Sequence, residues 1–159
     1  MRSTRSCKAK GRRLQVHIQN RLREKYCNET TQLVLEDINS NMMGESGRDI
    51  KFSPLAERTI PFDIECKNVE KLDVLKALIQ SKSNTKPKRI PIVIFKRNRS
   101  KIYVLIEQAH FTIPDSILSS EVKLTTNIWK HLSIFEDKPI FFTNHNVIII
   151  EFEQFINFY

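Results

Sequence analysis

Leu14, Ile18 and Leu22 recur at four-residue spacing, with His17 and Arg21 flanking the stripe. That period predicts an amphipathic helix over residues 11–26, apolar on one side and strongly basic on the other, with Gly11 at its start. Residues 33–43 have no clean period, because Asn39, Asn41 and Gly44 interrupt them; a short strand is expected near the end of the stretch. Residues 50–52 read as a strand end. Ser53-Pro54 then opens a short helical turn, Ser53 as cap and Pro54 in the first helical position. Over residues 61–68, Phe62, Ile64 and Cys66 alternate with Asp63, Glu65 and Lys67, the period of two of a strand with one apolar and one polar face. Glu65 and Lys67 therefore project from the same side. A helix is expected over residues 69–83, with Leu72, Leu75, Leu78 and Ile79 as its buried stripe.

Residues 90–95 form an almost unbroken apolar run bounded by Pro91 and by Lys96-Arg97-Asn98-Arg99, which suits a central strand. Residues 101–107 make a neighbouring strand joined through that basic turn. No firm pattern emerges over 111–134, where a helix from Pro114 to Ser120 is the expectation. Residues 140–143 and 147–152 look like a last hairpin around Asn144, and 153–159 a terminal helical turn. The 159 residues, 40% hydrophobic and 28% charged, suffice for one globular domain and require no second.

Charge narrows the class of partner. The formal net charge is +8 and the pI near 9.5, which favours a polyanion, because Lys and Arg release counterions when they replace them around phosphates. Residues 1–25 hold nine Lys or Arg and one acid, Glu24; residues 83–101 hold seven basic residues and no acid; residues 132–159 hold four acids and one Lys. The basic character thus lies toward the start and middle of the chain. No stretch reaches the roughly 18 consecutive apolar residues of a membrane span, and the N-terminus lacks an apolar signal core, so no membrane partner and a cytoplasmic location are expected. Residues 1–13, rich in Arg and Ser and free of acids, leave a mitochondrial presequence as the lesser alternative to a basic phosphate-contacting arm. Cys7, Cys27 and Cys66 are too far apart for a zinc knuckle and are read as reduced thiols. His17, His110, His131 and His145 form no metal-binding pair, and Asn144-His145-Asn146 reads as a turn.

Two of the three glycines fall in Gly44-Glu45-Ser46-Gly47-Arg48-Asp49-Ile50, where the backbone must turn sharply or approach something closely. Hydrolysis of a phosphodiester at neutral pH needs a cation that neutralises developing oxyanion charge and lowers the pKa of water; one or two carboxylates hold Mg²⁺ for this with several waters attached. Asp49 and Glu65 form such a pair if the segments carrying them lie side by side. Lys67 then places an ammonium beside the metal.

These two segments, the second being Phe62-Asp63-Ile64-Glu65-Cys66-Lys67-Asn68, closely resemble the PD-(D/E)XK nuclease motif, and most of all that of small phage endonucleases and archaeal-type Holliday junction resolvases. The resemblance runs over about residues 8–107. It implies an α/β fold with a central mixed β-sheet flanked by helices, a basic arm over 1–10, a nuclease domain over 11–159 with its core at about 11–107, and a C-terminal extension over 108–159. It further implies Mg²⁺, replaceable by Mn²⁺, held by Asp49, Glu65 and the carbonyl of Cys66, with Lys67 as catalytic base. Arg48 stands where the family often has Pro. Gln15 best matches the glutamate that resolvases carry on the first helix, so that ligand is either missing or supplied by Glu45.

Lys10, Arg12 and Arg13 open the helix that resembles the DNA-facing one of the family, and with Ser46, Arg48, Asn68, Gln80, Arg97 and Arg99 they make up the expected DNA-binding set. Trp129 and the phenylalanines are expected in the core. The function expected is Mg²⁺-dependent cleavage of branched or structured DNA by a homodimer, in phage-type replication, recombination or repair, inside a bacterial or phage-infected cell. The rivals are a nicking or single-strand endonuclease using the same site, and a basic DNA-binding protein on an inactive nuclease scaffold.

Overall fold

A computed structural model of the chain describes residues 4–42, 47–111, 121–124, 127–134 and 138–159, with the side chains of residues 4 and 5 left aside. The chain runs α1 (Thr4–Tyr26), β1 (Ile38–Ser40), β2 (Ile50–Phe52), α2 (Pro54–Thr59), β3 (Phe62–Asn68), α3 (Val74–Asn84), β4 (Ile90–Lys96), β5 (Tyr103–Glu107), β6 (Glu121–Val122), α4 (Ile128–Ile134), β7 (Ile140–Phe142), β8 (Val147–Glu151) and α5 (Phe152–Phe158). Six strands form one mixed sheet in the order β3-β4-β5-β8-β7-β6, and β1 and β2 pair separately as an antiparallel ribbon. This is a single α/β domain with a central mixed sheet and flanking helices, as the sequence led one to expect.

Side-chain alternation on the strands builds two cores, one on each face of the sheet. Ile92, Ile94, Val104, Ile106, Ile148 and Ile150 pack with Phe62 and Ile64 against α1 and α5. Val93, Phe95, Leu105, Val147 and Ile149 face the other way, toward α3 and α4. Burial on both sides explains why β4 reads as a continuous apolar run. Pro91 is tolerated because its missing N–H falls on the β5 edge of β4, one residue before the β4–β5 ladder begins at Ile92. The β3–α3–β4 unit is a parallel crossover, and β4 turns back into β5 through the basic hairpin.

The helices depart from expectation in two places. α1 begins at Thr4, so most of the expected basic arm is helix: residues 5–10 contain no breaker, and Gly11, with nothing within 4 Å of where its Cβ would lie, weakens the helix without ending it. α3 begins at Val74, because Asp73 caps it by accepting from the Lys76 N–H, 3.0 Å away. Its buried stripe is Val74, Ala77, Leu78 and Ser81, leaving Leu75 and Ile79 exposed. The Ser81 hydroxyl donates to the Ile92 carbonyl at 3.1 Å, and with Ala77 it lets α3 approach the sheet closely. The helix expected from Pro114 to Ser120 lies outside the described residues. Ser53 caps α2 with Pro54 at its start, and the β7–β8 hairpin turns through residues 143–146, both as expected. No helix among the described residues is long and apolar enough to cross a membrane.

Ile18, fully buried where α1 meets the sheet, ties that helix to the fold. Ile18→Ala should lower unfolding free energy by about 2–5 kcal/mol in denaturant titrations. Val16→Ala, on the outer face, should change it by no more than about 0.5 kcal/mol.

Candidate active site

β3 is the outermost strand of the six-stranded sheet on its side. The Ile90 N–H donates to the Pro61 carbonyl and the Val69 N–H to the Lys96 carbonyl, so odd-numbered groups of β3 face β4 and even-numbered groups face outward. Asp49 meets that outward edge. Gly47, at φ 106°, supplies a backbone turn that side chains disfavour, and two residues later the Asp49 N–H donates to the Ile64 carbonyl at 3.0 Å. The Asp49 carbonyl accepts from the Asn41 N–H at 2.7 Å. The carboxylate accepts from the Cys66 N–H at 2.6 Å through Oδ2, and from the Gln15 amide on α1 at 2.5 Å through Oδ1. Because the N–H and C=O of one strand residue point to the same edge, the Cys66 carbonyl faces the Asp49 side as well.

Glu65 and Lys67 project together toward α3, as their spacing requires. The Lys67 ammonium donates to Glu65 Oε1 at 2.7 Å and to Gln80 Oε1 at 2.8 Å, while Gln80 Nε2 donates to the same Glu65 oxygen at 2.8 Å. Three side chains thus close a ring of hydrogen bonds. Asn84, one helical turn beyond Gln80, donates to the other Glu65 oxygen at 3.3 Å. The sequence reading missed Asn84; the signal was its four-residue spacing from Gln80 on a helix that follows the acidic strand.

Burial is the main force that raises the Asp49 pKa above the ordinary carboxylate value, and the Glu65 charge adds to it; the Cys66 N–H, the Gln15 amide and Lys67 act in the opposite direction. Burial also pushes the Cys66 thiol well up, with Asp49 and Glu65 adding, so this side chain is a neutral thiol. Among the described residues, no three His, Cys, Asp or Glu side chains are grouped to hold a metal. The Asp49 carboxylate and the Cys66 carbonyl lie at the outward edge of β3, with the Glu65 carboxylate near enough for its charge to act on Asp49. Beside them the buried Gln15 Oε1 has no hydrogen-bond partner. These are hard oxygen donors, a set suited to Mg²⁺ or Mn²⁺ and unsuited to a thiolate-bound metal.

Asp63, two residues before Glu65, is not a solvated strand residue. It is 1% exposed and accepts from Arg48 at 2.6 Å, from Arg89 at 2.5 Å and from the Lys86 N–H at 2.9 Å. Arg48 also bridges Glu57 at 3.0 Å, so its guanidinium is turned inward to carboxylates rather than outward to a phosphate. The network braces the segment that carries Asp49 against the strand that carries Glu65.

The remaining expected contacts are spread around this centre. Arg12 donates to the Asn41 carbonyl at 2.7 Å, and the Asn68 amide to the Lys10 carbonyl at 3.2 Å. Lys10 reaches Asn98 at 2.8 Å, and Arg13 and Arg99 are exposed. Arg97 stacks on the buried Trp129 ring, 4.8 Å from its centroid. Gln80 serves the Glu65–Lys67 pair. Glu45 and Ser46 lie outside the described residues. Comparisons with protein-family models, with curated proteins and with solved structures find no match to this chain.

Asp63→Ala removes the carboxylate that Arg48 and Arg89 share, leaving the largely buried Arg89 without its ion-pair partner, and should cost about 3–5 kcal/mol in chemical denaturation. Asp49 behaves oppositely. Its folded pKa is raised, so the native state binds the proton more tightly than the unfolded chain, and stability is lost as pH rises through the unfolded value to the folded one. Asp49→Asn should therefore raise the Tm of the metal-free protein at pH 7 by about 2–4 °C, its amide donating to the unpartnered Gln15 oxygen, and the gain should vanish by about pH 4 in thermal melts.

Proposed function

We propose that the protein is a metal-dependent endonuclease of the PD-(D/E)XK type that hydrolyses DNA phosphodiester bonds, with branched or structured DNA as substrate. The observation that carries this reading is that Asp49, held at the outer edge of β3, lies near enough to the Glu65–Lys67–Gln80 ring for the charges of Glu65 and Lys67 to act on it. A merely solvated strand face would leave Glu65 and Lys67 in water. Here Glu65 is 5% exposed, and both its oxygens are held by side chains from β3 and α3.

Asp49, Glu65 and the Cys66 carbonyl would hold Mg²⁺, for which Mn²⁺ can substitute, and the bound ion supplies charge neutralisation at the phosphate and a water of lowered pKa. Asp49 is oriented for this by the Cys66 N–H and the Gln15 amide, so the carboxylate needs no rearrangement. Lys67, held beside Glu65 by Gln80, would supply an ammonium that stabilises charge developing on the attacked phosphate or orients the attacking water. The unpartnered Gln15 oxygen, next to Asp49, would accept a hydrogen bond from a water brought in with the ion. Excess positive charge around the site draws the polyanion in, and a two-fold junction would suit a homodimer.

Purified protein incubated with labelled linear, nicked and four-way junction DNA should cut the junction with Mg²⁺ or Mn²⁺ and cut nothing in EDTA. Asp49→Ala should abolish cleavage while DNA binding stays equal or tightens, since a carboxylate that repels phosphate is gone. Lys67→Met should slow cleavage by about 10²–10³-fold, the size expected when one preorganised charge is removed. Retained turnover by Asp49→Ala would contradict the proposal.

A further inference from the structure

Lys10, Arg13 and His17 are three or four residues apart on α1 and so share one helix face. Lys96 and Arg99, from the end of β4 and the hairpin after it, stand opposite. Together with Asn68 they line an open cavity of about 360 Å³ that has no carboxylate among its lining residues. Several other surface cations are paired: Arg21 with Glu153, Lys82 with Glu107, Lys86 with Glu57, Lys101 with Glu151. Among the described residues, none of Lys10, Arg13, Lys96 or Arg99 is in an ion pair. Lys10 instead donates to the neutral Asn98 side chain, and the Asn68 amide donates to the Lys10 carbonyl, which fixes the cavity wall without neutralising it. Arg99 sits at φ 57°, a backbone shape that glycine or asparagine adopts more readily, and there it lines the cavity.

We propose that this cavity is a metal-independent subsite for a phosphate group of the DNA, separate from the phosphate attacked beside Asp49. The inference rests on the nuclease reading and adds the path of the substrate. Asn68 follows Lys67 on β3, and successive strand side chains point to opposite faces. Lys67 therefore serves the α3 side and Asn68 the α1 side of one strand end. A nucleic-acid strand crossing the edge of β3 can set one phosphate at Asp49 and Glu65 and another among Lys10, Arg13, Lys96 and Arg99. Lysine and arginine recognise a phosphate oxygen by charge and by forked N–H donors, so the subsite needs no base contact and reads no sequence.

The test is binding in EDTA, where no cleavage occurs. Full-length wild-type protein and the variants Arg13→Glu and Lys96→Glu are titrated against a fluorescent duplex of about 20 base pairs, with and without a 5′-phosphate. Each reversal should weaken binding about tenfold and flatten the salt dependence by about 0.9 log units per log unit of salt for every phosphate that is no longer neutralised. Lys96→Arg should bind as wild type. Lys130→Glu, on α4 across the sheet, should weaken binding less than twofold, and equal melting temperatures will show that every variant folds. Equal affinity with and without the 5′-phosphate assigns an internal backbone phosphate to the cavity, and a dependence on it assigns a strand end. Undiminished binding by Arg13→Glu and Lys96→Glu, or an equally large weakening in Lys130→Glu, would overturn the subsite. Because metal-dependent cleavage by wild type is scored separately, either claim can fail while the other stands.

Discussion

The outer edge of β3 leaves the N–H and C=O groups of Phe62, Ile64, Cys66 and Asn68 facing away from β4, and buried backbone groups of this kind must find partners. Asp49 supplies two of them. Its own N–H satisfies the Ile64 carbonyl, and its carboxylate satisfies the Cys66 N–H. One residue thereby caps a sheet edge and has a carboxylate fixed beside Glu65. No continuous ladder with β2 is needed, since β2 pairs with β1 instead. The turn at Gly47 is what delivers Asp49 to that edge.

The electrostatics follow from this placement. Glu65 is balanced by the Lys67 ammonium and by the amides of Gln80 and Asn84. Among the described residues, Asp49 has neutral donors, the Cys66 N–H and the Gln15 amide, in direct contact, and burial holds its pKa up. Of the two acids, Glu65 is thus compensated by direct partners, whereas Asp49 has no cation in direct contact among the described residues and is the one whose charge is least offset. A carboxylate held by burial above its ordinary pKa costs stability at neutral pH, and on the proposed reading a bound cation would offset that cost. The Arg48–Asp63–Arg89 network, paired and buried, anchors the segment that delivers Asp49.

Much of the frame was legible in the sequence. The period of two over Phe62 to Lys67 marked the strand and put Glu65 and Lys67 on one face. The four-residue stripe Leu14, Ile18, Leu22 marked α1, and the apolar run over β4 pointed to a strand buried on both sides. What could not be read was long-range pairing. Asp63 has the same alternation as Glu65, yet it serves a structural ion network because Arg48 and Arg89 converge on it from distant segments. The inward turn of Arg48 was hidden for the same reason. On α3, the larger residues Leu75 and Ile79 suggested the buried face, whereas small Ala77 and Ser81 lie against the sheet because they permit close approach. β6 and α4 lie in a stretch whose sequence has no strong period, and tertiary packing decides them.

The central claim is that Asp49, Glu65 and the Cys66 carbonyl form one cation site. Anomalous diffraction from a crystal soaked in Mn²⁺ tests it without reference to any substrate. The account predicts a single strong peak about 2.1 Å from one oxygen of each carboxylate and from the Cys66 carbonyl oxygen. A peak bound to other groups, or no peak between these three oxygens at saturating Mn²⁺, would contradict it.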